Sequence, residues 1–457
     1  MLTYQDYLKV DEKDLPEFVR NVISNHKASN LYLTARIADE YDRCRNTTTM
    51  QYQRMITEIT GKKTVDKTAT VHRSTSNFFN IIVTQLNQYL LGNGVHWKQK
   101  QELGKDFDTR LQQAGKLALR DGVSFGFWDY DRMQVFSALE FAPLYDEENG
   151  ALAAGVRFWQ LDANKPVRAT LYTMDGYTNY LWSSEAIKEQ KWQRLTKDCY
   201  TIPRTAYKVT TRSTEADGVE IYAGENYPVF PIVPLYGNPR KQSELIGLRE
   251  KIDAYDFIVN GWEDDLDNAQ LYWIIKGAGG MDDPDLTRFL ERLRTVKAAA
   301  PEDGQEVEPV EVNIPVDARE ELLKRLEKQI YRDAMIMNPE DIASGAATAT
   351  QIRAAYERQN VKADQYEYCV LDFLRGITAV AGVDGEATFT RSAIVNTQEE
   401  VQTVIMAAEY LTEEYVTSKI LDLFGDGDKA EAILKRRAEE ADERLRSVGR
   451  EKEEQEE

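Results

Sequence analysis

The chain has 457 residues, 42% of them hydrophobic, which is enough material for several domains with real cores. Its 57 Lys+Arg against 77 Asp+Glu leave a formal charge of −20. That balance excludes gripping nucleic acid by bulk electrostatics, because phosphate binding is driven by cationic side chains displacing counterions.

The polar opening MLTYQDYLKVDEKDLPEF predicts no secretory leader. The cysteines Cys44, Cys199 and Cys369 are widely separated and odd in number, so they form neither a disulfide framework nor a zinc site and suit a reducing compartment. No stretch reaches the ~18 uninterrupted apolar residues of a membrane span. Residues 1 to 60 read as helical, with one helix opening at Ser29-Asn30-Leu31 and a short second one over Gln51 to Ile59. The stretch NFFNIIVTQLNQYLLGNGVHW, Asn77 to Trp97, is broken by Asn80, Gln85, Asn87 and Gln88 and fits a buried helix over 70–93. Phe78, Phe79, Ile82, Val83, Leu86 and Leu90 share its apolar face, and Gly92 stops it. Residues 106–120 predict another helix.

From Val123 to Phe230 aromatic and β-branched residues alternate with polar ones. Turn signals punctuate them at Glu148-Asn149-Gly150, Asp175-Gly176 and Asp217-Gly218, so the region reads as antiparallel β. It closes with PVFPIVPLYGNPRK, where Pro228, Pro231, Pro234 and Pro239 are expected to stop any regular element. The cleanest pattern follows. Leu245, Leu248, Ile252, Tyr255, Val259, Trp262 and Leu266 alternate spacings of three and four, a continuous seam on a helix over 243–266, roughly 36 Å long. By itself the pattern also suits an ordinary bundle helix. LYWIIKGA then reads as a strand, DPDLTRFLERLRTV as a helix and EVEPVEVNIP as a strand.

A second long helix is predicted over 317–335. Leu322, Leu323, Leu326, Ile330 and Ala334 share one face, and Lys324, Arg325, Lys328 and Arg332 fall opposite. MNPEDIASGAATA interrupts it, since the residue before Pro339 is pushed out of the helical region and Gly345 among alanines moves without steric penalty. A third long helix runs from Thr350 to Val380, then a strand-like GEATFTRSAIV. Further helices start at Thr397, whose spacing to Glu400 is that of a capping box, at Thr412 and near Asp428, ahead of a charged tail.

Catalytic signals are missing. His26, His72 and His96 have no partner cluster in sequence and read as surface or satisfied core residues. There is no HExxH, no Cys-x-x-Cys, no Gly-x-Ser-x-Gly and no GxxxxGK[ST]. Asp426-Gly427-Asp428 lacks the rest of a calcium loop and reads as a capping turn. The expectation is a chain that is not an enzyme and needs no cofactor or metal.

Four stretches carry a resemblance: the Asn77–Trp97 segment, the run YPVFPIVPLYGNPRKQSELIGLREKIDAYDFIVNGWEDDLD, the loop ASGAATATQIRAAYE, and FTRSAIVNTQEEVQTVIMAAEYLTEEYVTSKILDLF. In this order they are similar to the portal proteins of tailed bacteriophages, in the group that includes portals of Gram-positive phages and prophages. The likeness covers most of 30–440. It departs at Gly237-Asn238, where the family carries Asn-Asn, and in a short last basic helix.

The resemblance implies an α+β, mostly helical portal fold. Its parts would be a wing over 1–242, with N-terminal helices and antiparallel β region, a stem helix over 243–266, a clip over 267–316 and a second stem helix over 317–335. A tunnel loop over 336–349, a long helix and wing return over 350–395 and a crown over 396–457 would follow. It further implies a ring, usually of twelve copies, at one capsid vertex, through which double-stranded DNA is packaged and ejected without being read. Implied partners are other copies of the chain, the major capsid and scaffolding proteins, the terminase large subunit and a head-completion adaptor leading to the tail. No membrane is implied. The implied location is the virion, with host cytoplasm during assembly. Met337, Asn338, Glu340, Asp341, Ser344, Gly345 and Thr348 would face DNA. The basic row Lys324, Arg325, Lys328 and Arg332 would face either the channel or acids of a neighbouring subunit's stem. An acidic wall then makes sense, because a conduit must not bind its cargo. A non-portal oligomeric scaffold associated with capsids, and a nucleic-acid-processing enzyme, remain as alternatives.

Overall fold

The structure is a computed structural model and describes residues 2–53, 55–57, 62–65, 71–97, 99–183, 193–196, 199–214, 220–268, 273–276, 306–309, 316–338, 349–392, 397–423 and 432–437. The chain divides into two compact units, one of Met1–Ile336 with Val361–Ser392 and one of Met337–Asn360 with Ala393–Glu457. The class is α+β, as the sequence predicts.

The first unit opens with α1 (Tyr4–Leu8), α2 (Leu15–Lys27) and α3 (Asn30–Asp42). Ser29 caps α3, its Oγ accepting from the Tyr32 N–H at 3.3 Å, so this start is where the sequence puts it. After α4 (Thr47–Met50) the described part of Gln51 to Ile59 does not form the expected helix. A strand β1 (Met55–Thr57) pairs there with β2 (Lys63–Val65), because Ile56, Thr57, Thr64 and Val65 are β-branched and favour extended backbone. Helix α5 (Phe78–Leu91) begins later than position 70; residues 71–77 carry no regular secondary structure. Its predicted apolar face is buried throughout, and Gly92 caps it. β3 (Val95–His96) and α6 (Phe107–Asp121) follow, and α6 ends at Gly122 in the left-handed conformation, φ +94°.

The β region comprises β4 (Val123–Asp129), β5 (Arg132–Ser137), β6 (Phe141–Tyr145), β7 (Leu152–Trp159), β8 (Val167–Thr173), β9 (Gly176–Trp182), β10 (Gln193–Thr196), β11 (Cys199–Thr205), β12 (Lys208–Thr214), β13 (Glu220–Glu225) and β14 (Ile232–Tyr236). One sheet runs in the order β12-β13-β11-β9-β8-β7-β6, with β10 beside β11; a second runs β14-β4-β5. The pairings are antiparallel apart from β11 with β13. The β8–β9 hairpin turns at Met174-Asp175 and closes Thr173 on Gly176, whose φ of +120° suits glycine. The proline-rich run does not stop regular structure: β14 includes Pro234, opposite Phe125 of β4. A proline is tolerated because β14 is an edge strand and its missing N–H costs no ladder bond.

Two cores result. Phe18, Val19, Val22 and Ile23 of α2 pack on Leu144, Val156, Phe158, Leu171 and Tyr180 of the large sheet. Phe125, Phe127, Phe136, Phe141, Tyr172 and Ile232 form the second core, shared by the two sheets.

The later elements are α7 (Arg249–Asn268), β15 (Trp273–Lys276), β16 (Glu306–Pro309), α8 (Val316–Ala334), α9 (Ala349–Ala381) and β17 (Thr388–Phe389). β15 pairs with β16 and β17 with β3, both antiparallel. The third long helix is therefore present essentially as predicted. Its Ala363, Tyr366, Val370, Phe373, Leu374 and Ile377 are buried. The helix sits so close to β4 and β14 that a Cβ on Gly126 would meet the Phe373 ring at 2.5 Å and one on Gly376 would meet Val233 at 2.5 Å.

In the second unit, α10 (Thr397–Met406) and α11 (Glu413–Leu423) lie in contact, with the Thr412 hydroxyl accepting from the Tyr415 N–H at the start of α11. Residues 432–437 are helical, and Arg437 pairs with Glu413 at 2.9 Å. The predicted helix within 281–297, the Asp217-Gly218 turn, the Asp426-Gly427-Asp428 turn and the charged tail lie outside the described residues.

Candidate functional site: a long helix pair and the segment that straps it

Helices α7 and α8 run antiparallel. Lys251 meets Asp333 at 3.2 Å, and Asp265 meets Arg319 at 2.5 Å, so the two ion pairs bracket a length of about 21 Å at 1.5 Å per residue. Phe78 of α5 sets its ring edge against Tyr255 (4.9 Å) and Tyr331 (6.0 Å), touching both helices.

The apolar seam is only partly inside the helix. α7 begins at Arg249, not at 243: the Ser243 hydroxyl accepts from the Leu245 N–H, and Gly247 is left-handed at φ +86°, which a helix interior does not hold. Leu245 and Leu248 are buried in the turns that precede the helix, and Ile252 is buried within it. Tyr255, Val259 and Trp262 are half-buried, and Leu266 is 54% exposed. On α8 only Ile330 and Ala334 of the predicted face are buried, whereas Leu322 is 45% exposed. The pair is thus covered at the Ile252–Ala334 end and bare at the other.

Lys324, Arg325, Lys328 and Arg332 are all exposed. Lys324 pairs with Glu320 one turn back and Arg332 with its neighbour Asp333. α8 closes with Met335 left-handed at φ +57°, the Ile336 N–H reaching the Tyr331 carbonyl (3.1 Å) and the Met335 N–H the Arg332 carbonyl (3.1 Å). This is a Schellman close, four residues ahead of Pro339. Met337 and Asn338, expected to face DNA, are instead buried, at 6% and 5% exposure, and the Met337 N–H donates to Gln359 Oε1 at 3.0 Å. Glu340, Asp341, Ser344, Gly345 and Thr348 lie outside the described residues.

The most ordered polar arrangement is on the other face of α7. Asp256, Asn260 and Asp264 recur every four residues and are buried, at 2%, 4% and 6% exposure. Residues 71–77 run antiparallel along them. The N–H of Ser76 donates to Asp256 Oδ1 (2.9 Å), that of Ser74 to Asn260 Oδ1 (2.7 Å) and that of His72 to Asp264 Oδ1 (2.9 Å). Asn260 returns a bond to the Ser74 carbonyl (2.9 Å), the Ser74 hydroxyl reaches Glu263 (3.0 Å), and His72 Nδ1 lies 2.8 Å from Asp264. The register follows from two repeats. Four helical residues rise about 6 Å and two extended residues about 6.6 Å, so every second backbone N–H finds the next side-chain acceptor. Asp256 also accepts from Asn46 Nδ2 at 2.5 Å, and burial raises its pKa above the usual carboxylate value. Asp253 accepts from the Tyr41 hydroxyl at 2.5 Å.

A second polar knot lies at the other end of the pair. Lys362 Nζ donates to Glu244 (2.5 Å) and to the Ala334 carbonyl (2.7 Å), so a cation caps the α8 C-terminus, while Asn238 Nδ2 also donates to Glu244 (2.8 Å). Among the described residues no group of three or more His, Cys, Asp or Glu is placed to hold a metal ion, and no helix is long and apolar enough to cross a membrane. Cys44, Cys199 and Cys369 are unpaired thiols. His26 is buried with Nε2 2.7 Å from the Ala138 carbonyl, and burial lowers its pKa, so it is a neutral core donor.

Reading the apolar seam alone passes over Asp256, Asn260, Asp264, Glu244 and Lys362. The available signal was the four-residue spacing of Asp, Asn and Asp set against the small polar run HRSTSN.

Residues 32–443 match the family model described as phage portal protein, SPP1 Gp6-like. The portal protein of Bacillus phage SPP1 is 23% identical over 424 residues, covering 85% of this chain and 79% of its own length. The portal protein of Clostridium phage phiCD119 is 26% identical over 184 residues, covering 37% of this chain and 40% of its own length. Among solved structures, the neck of a native gene transfer agent particle computed with C12 symmetry aligns with TM-score 0.42 at 12% identity, covering 75% of this chain and 89% of that one. The neck of the empty particle with C6 symmetry gives 0.43 at 12%, with 76% and 90% covered. With 32–443 inside the family model, the chain belongs to the SPP1 Gp6-like family of phage portal proteins.

Proposed function

We propose that this portal protein assembles into a closed ring of twelve copies at one capsid vertex and serves as the conduit through which double-stranded DNA enters and leaves. In this reading α7 and α8 are the stem, 267–316 the clip that meets the terminase large subunit and later the head-completion adaptor, and 336–349 the tunnel loop. Residues 350–395 are the long helix and wing return, and 396–457 form the crown. Residues 1–242 form the wing against the major capsid and scaffolding proteins. The ring forms in the host cytoplasm and remains in the virion. The chain performs no catalysis, and a separate ATPase drives packaging; the missing phosphate-binding loop supports this.

The observation that carries the reading, beside family membership, is the half-bare helix pair. Leu266, Leu322 and Val316 are 54%, 45% and 44% exposed at the end of α7 and α8 away from Ile252. Apolar side chains clustered on long helices are the surface that adjacent copies of a ring would cover. Changing Leu266 and Leu322 together to Ser should shift rings toward monomer in a native mass measurement, with the monomer's melting unchanged. Rings of undiminished stability would remove this support.

A further inference from the structure

A helix that shifts inside an assembly needs a joint that opens without exposing a core. Residues 71–77 have that chemistry. None of these residues is buried as a whole, although the Ser76 hydroxyl is shut off from solvent. They hold α7 through hydrogen bonds, to Asp256, Asn260, Glu263 and Asp264, all hydrophilic acceptors that water can satisfy when the segment lifts. The next residue, Phe78, begins an apolar anchor: Phe78, Phe79, Ile82 and Val83 are buried. Releasable chain and fixed chain therefore meet at Asn77. The other end of the joint is equally defined, because Ile252 is wholly buried, Asp253 is bonded to Tyr41 and Asp256 to Asn46, and the Tyr255 and Phe257 rings pack on Phe78 and Tyr52, while positions 260 to 264 carry the rest of the segment. The pitch mismatch of about 0.6 Å per rung limits such a zipper to a few rungs, and it has three.

We infer that residues 71–77 are a strap that unzips from α7 and that its release lets the stem helix swing about Phe257 during DNA passage. This rests on the portal reading for its purpose but not for its geometry. Opening the strap breaks polar contacts and creates no cavity, so it belongs to the low-energy local openings of the subunit, whereas α5 opens only with the core.

Two measurements test it. In hydrogen–deuterium exchange of the full chain, the amides of His72, Ser74 and Ser76 should exchange at least about tenfold faster than those of Ile82 to Leu90 in α5. Equal rates would show that strap and core open together and would overturn the inference. For function, a chain carrying Cys44→Ser, Cys369→Ser, Ser74→Cys and Glu263→Cys is joined across 74 and 263 by a short thiol cross-linker. The tethered rings should form but package DNA far less than the same rings left untethered. Equal packaging by tethered rings refutes the strap. Failure of wild-type rings to package at all refutes the portal reading instead, and leaves the exchange result to decide the strap.

Discussion

Burying Arg120 commits three carboxylates to its neighbourhood. Its guanidinium lies 2.6 Å from Asp39, 2.7 Å from Asp121 and 3.9 Å from Asp42, with its own side chain 9% exposed. Replacing it by Met would leave those acids facing one another in low dielectric, so Arg120→Met should cost on the order of 3–5 kcal/mol in urea unfolding. A loss below about 1 kcal/mol would mean the acids are far better solvated than their burial indicates. Asp121 adds a pH signature: burial outweighs Arg120 and lifts its pKa from 3.8 to about 6. A carboxyl with a raised folded pKa contributes stability that is full below its unfolded value and is lost as pH rises through the folded one. The stability of the wild-type chain relative to Asp121→Asn should therefore fall between pH 4 and pH 6. A flat difference across that window would contradict the shift.

At the scale of elements, Gly126 tests how tightly α9 seats on β4. A Cβ there would meet the Phe373 ring at 2.5 Å, so Gly126→Val should cost about 1–3 kcal/mol by overpacking, read as a lowered midpoint with unchanged urea slope. On α7, Asn260→Leu removes the partners of both the N–H and the carbonyl of Ser74 and should destabilise by about 1–3 kcal/mol while speeding exchange at residues 72–76. Unchanged exchange there would mean that Asn260 does not hold the segment. Much of this level was legible in the sequence. Continuous apolar periodicity gave α5 and α9, and alternation gave the β region, because burial on one face leaves a direct pattern. The start of α7 was not legible: Leu245 and Leu248 keep the seam's spacing but are buried from turns, and Gly247 supplies the break. Nor was the strap, since Asp and Asn on a helix read as a solvated face unless their backbone partners, here some 180 residues away in sequence, are known. The edge position that admits Pro234 likewise depends on strand order, which single-chain propensity does not contain.

The whole molecule carries a formal charge of −20, yet one exposed row on α8 is basic. If Arg325 and Lys328 face neighbouring copies, Arg325→Glu with Lys328→Glu should weaken the ring; if they face the channel, the ring should hold and DNA passage should change, so particle yield and packaged DNA measured together separate the two. Gly345→Val should leave assembly intact and impair packaging if 336–349 is a moving loop at the channel; normal packaging by that variant would withdraw the assignment. At this scale the family was legible from four ordered stretches, now carried by the match over 32–443, while the burial of Met337 and Asn338 was not, because it depends on Gln359, 22 residues further on, meeting the Met337 N–H. The ring itself is the central claim, and imaging the purified full-length chain by negative stain, with native mass on the same sample, tests it most directly. Closed rings with an axial hole and a mass near twelve subunits are expected; monomers alone at micromolar concentration, across low and high salt, would contradict it.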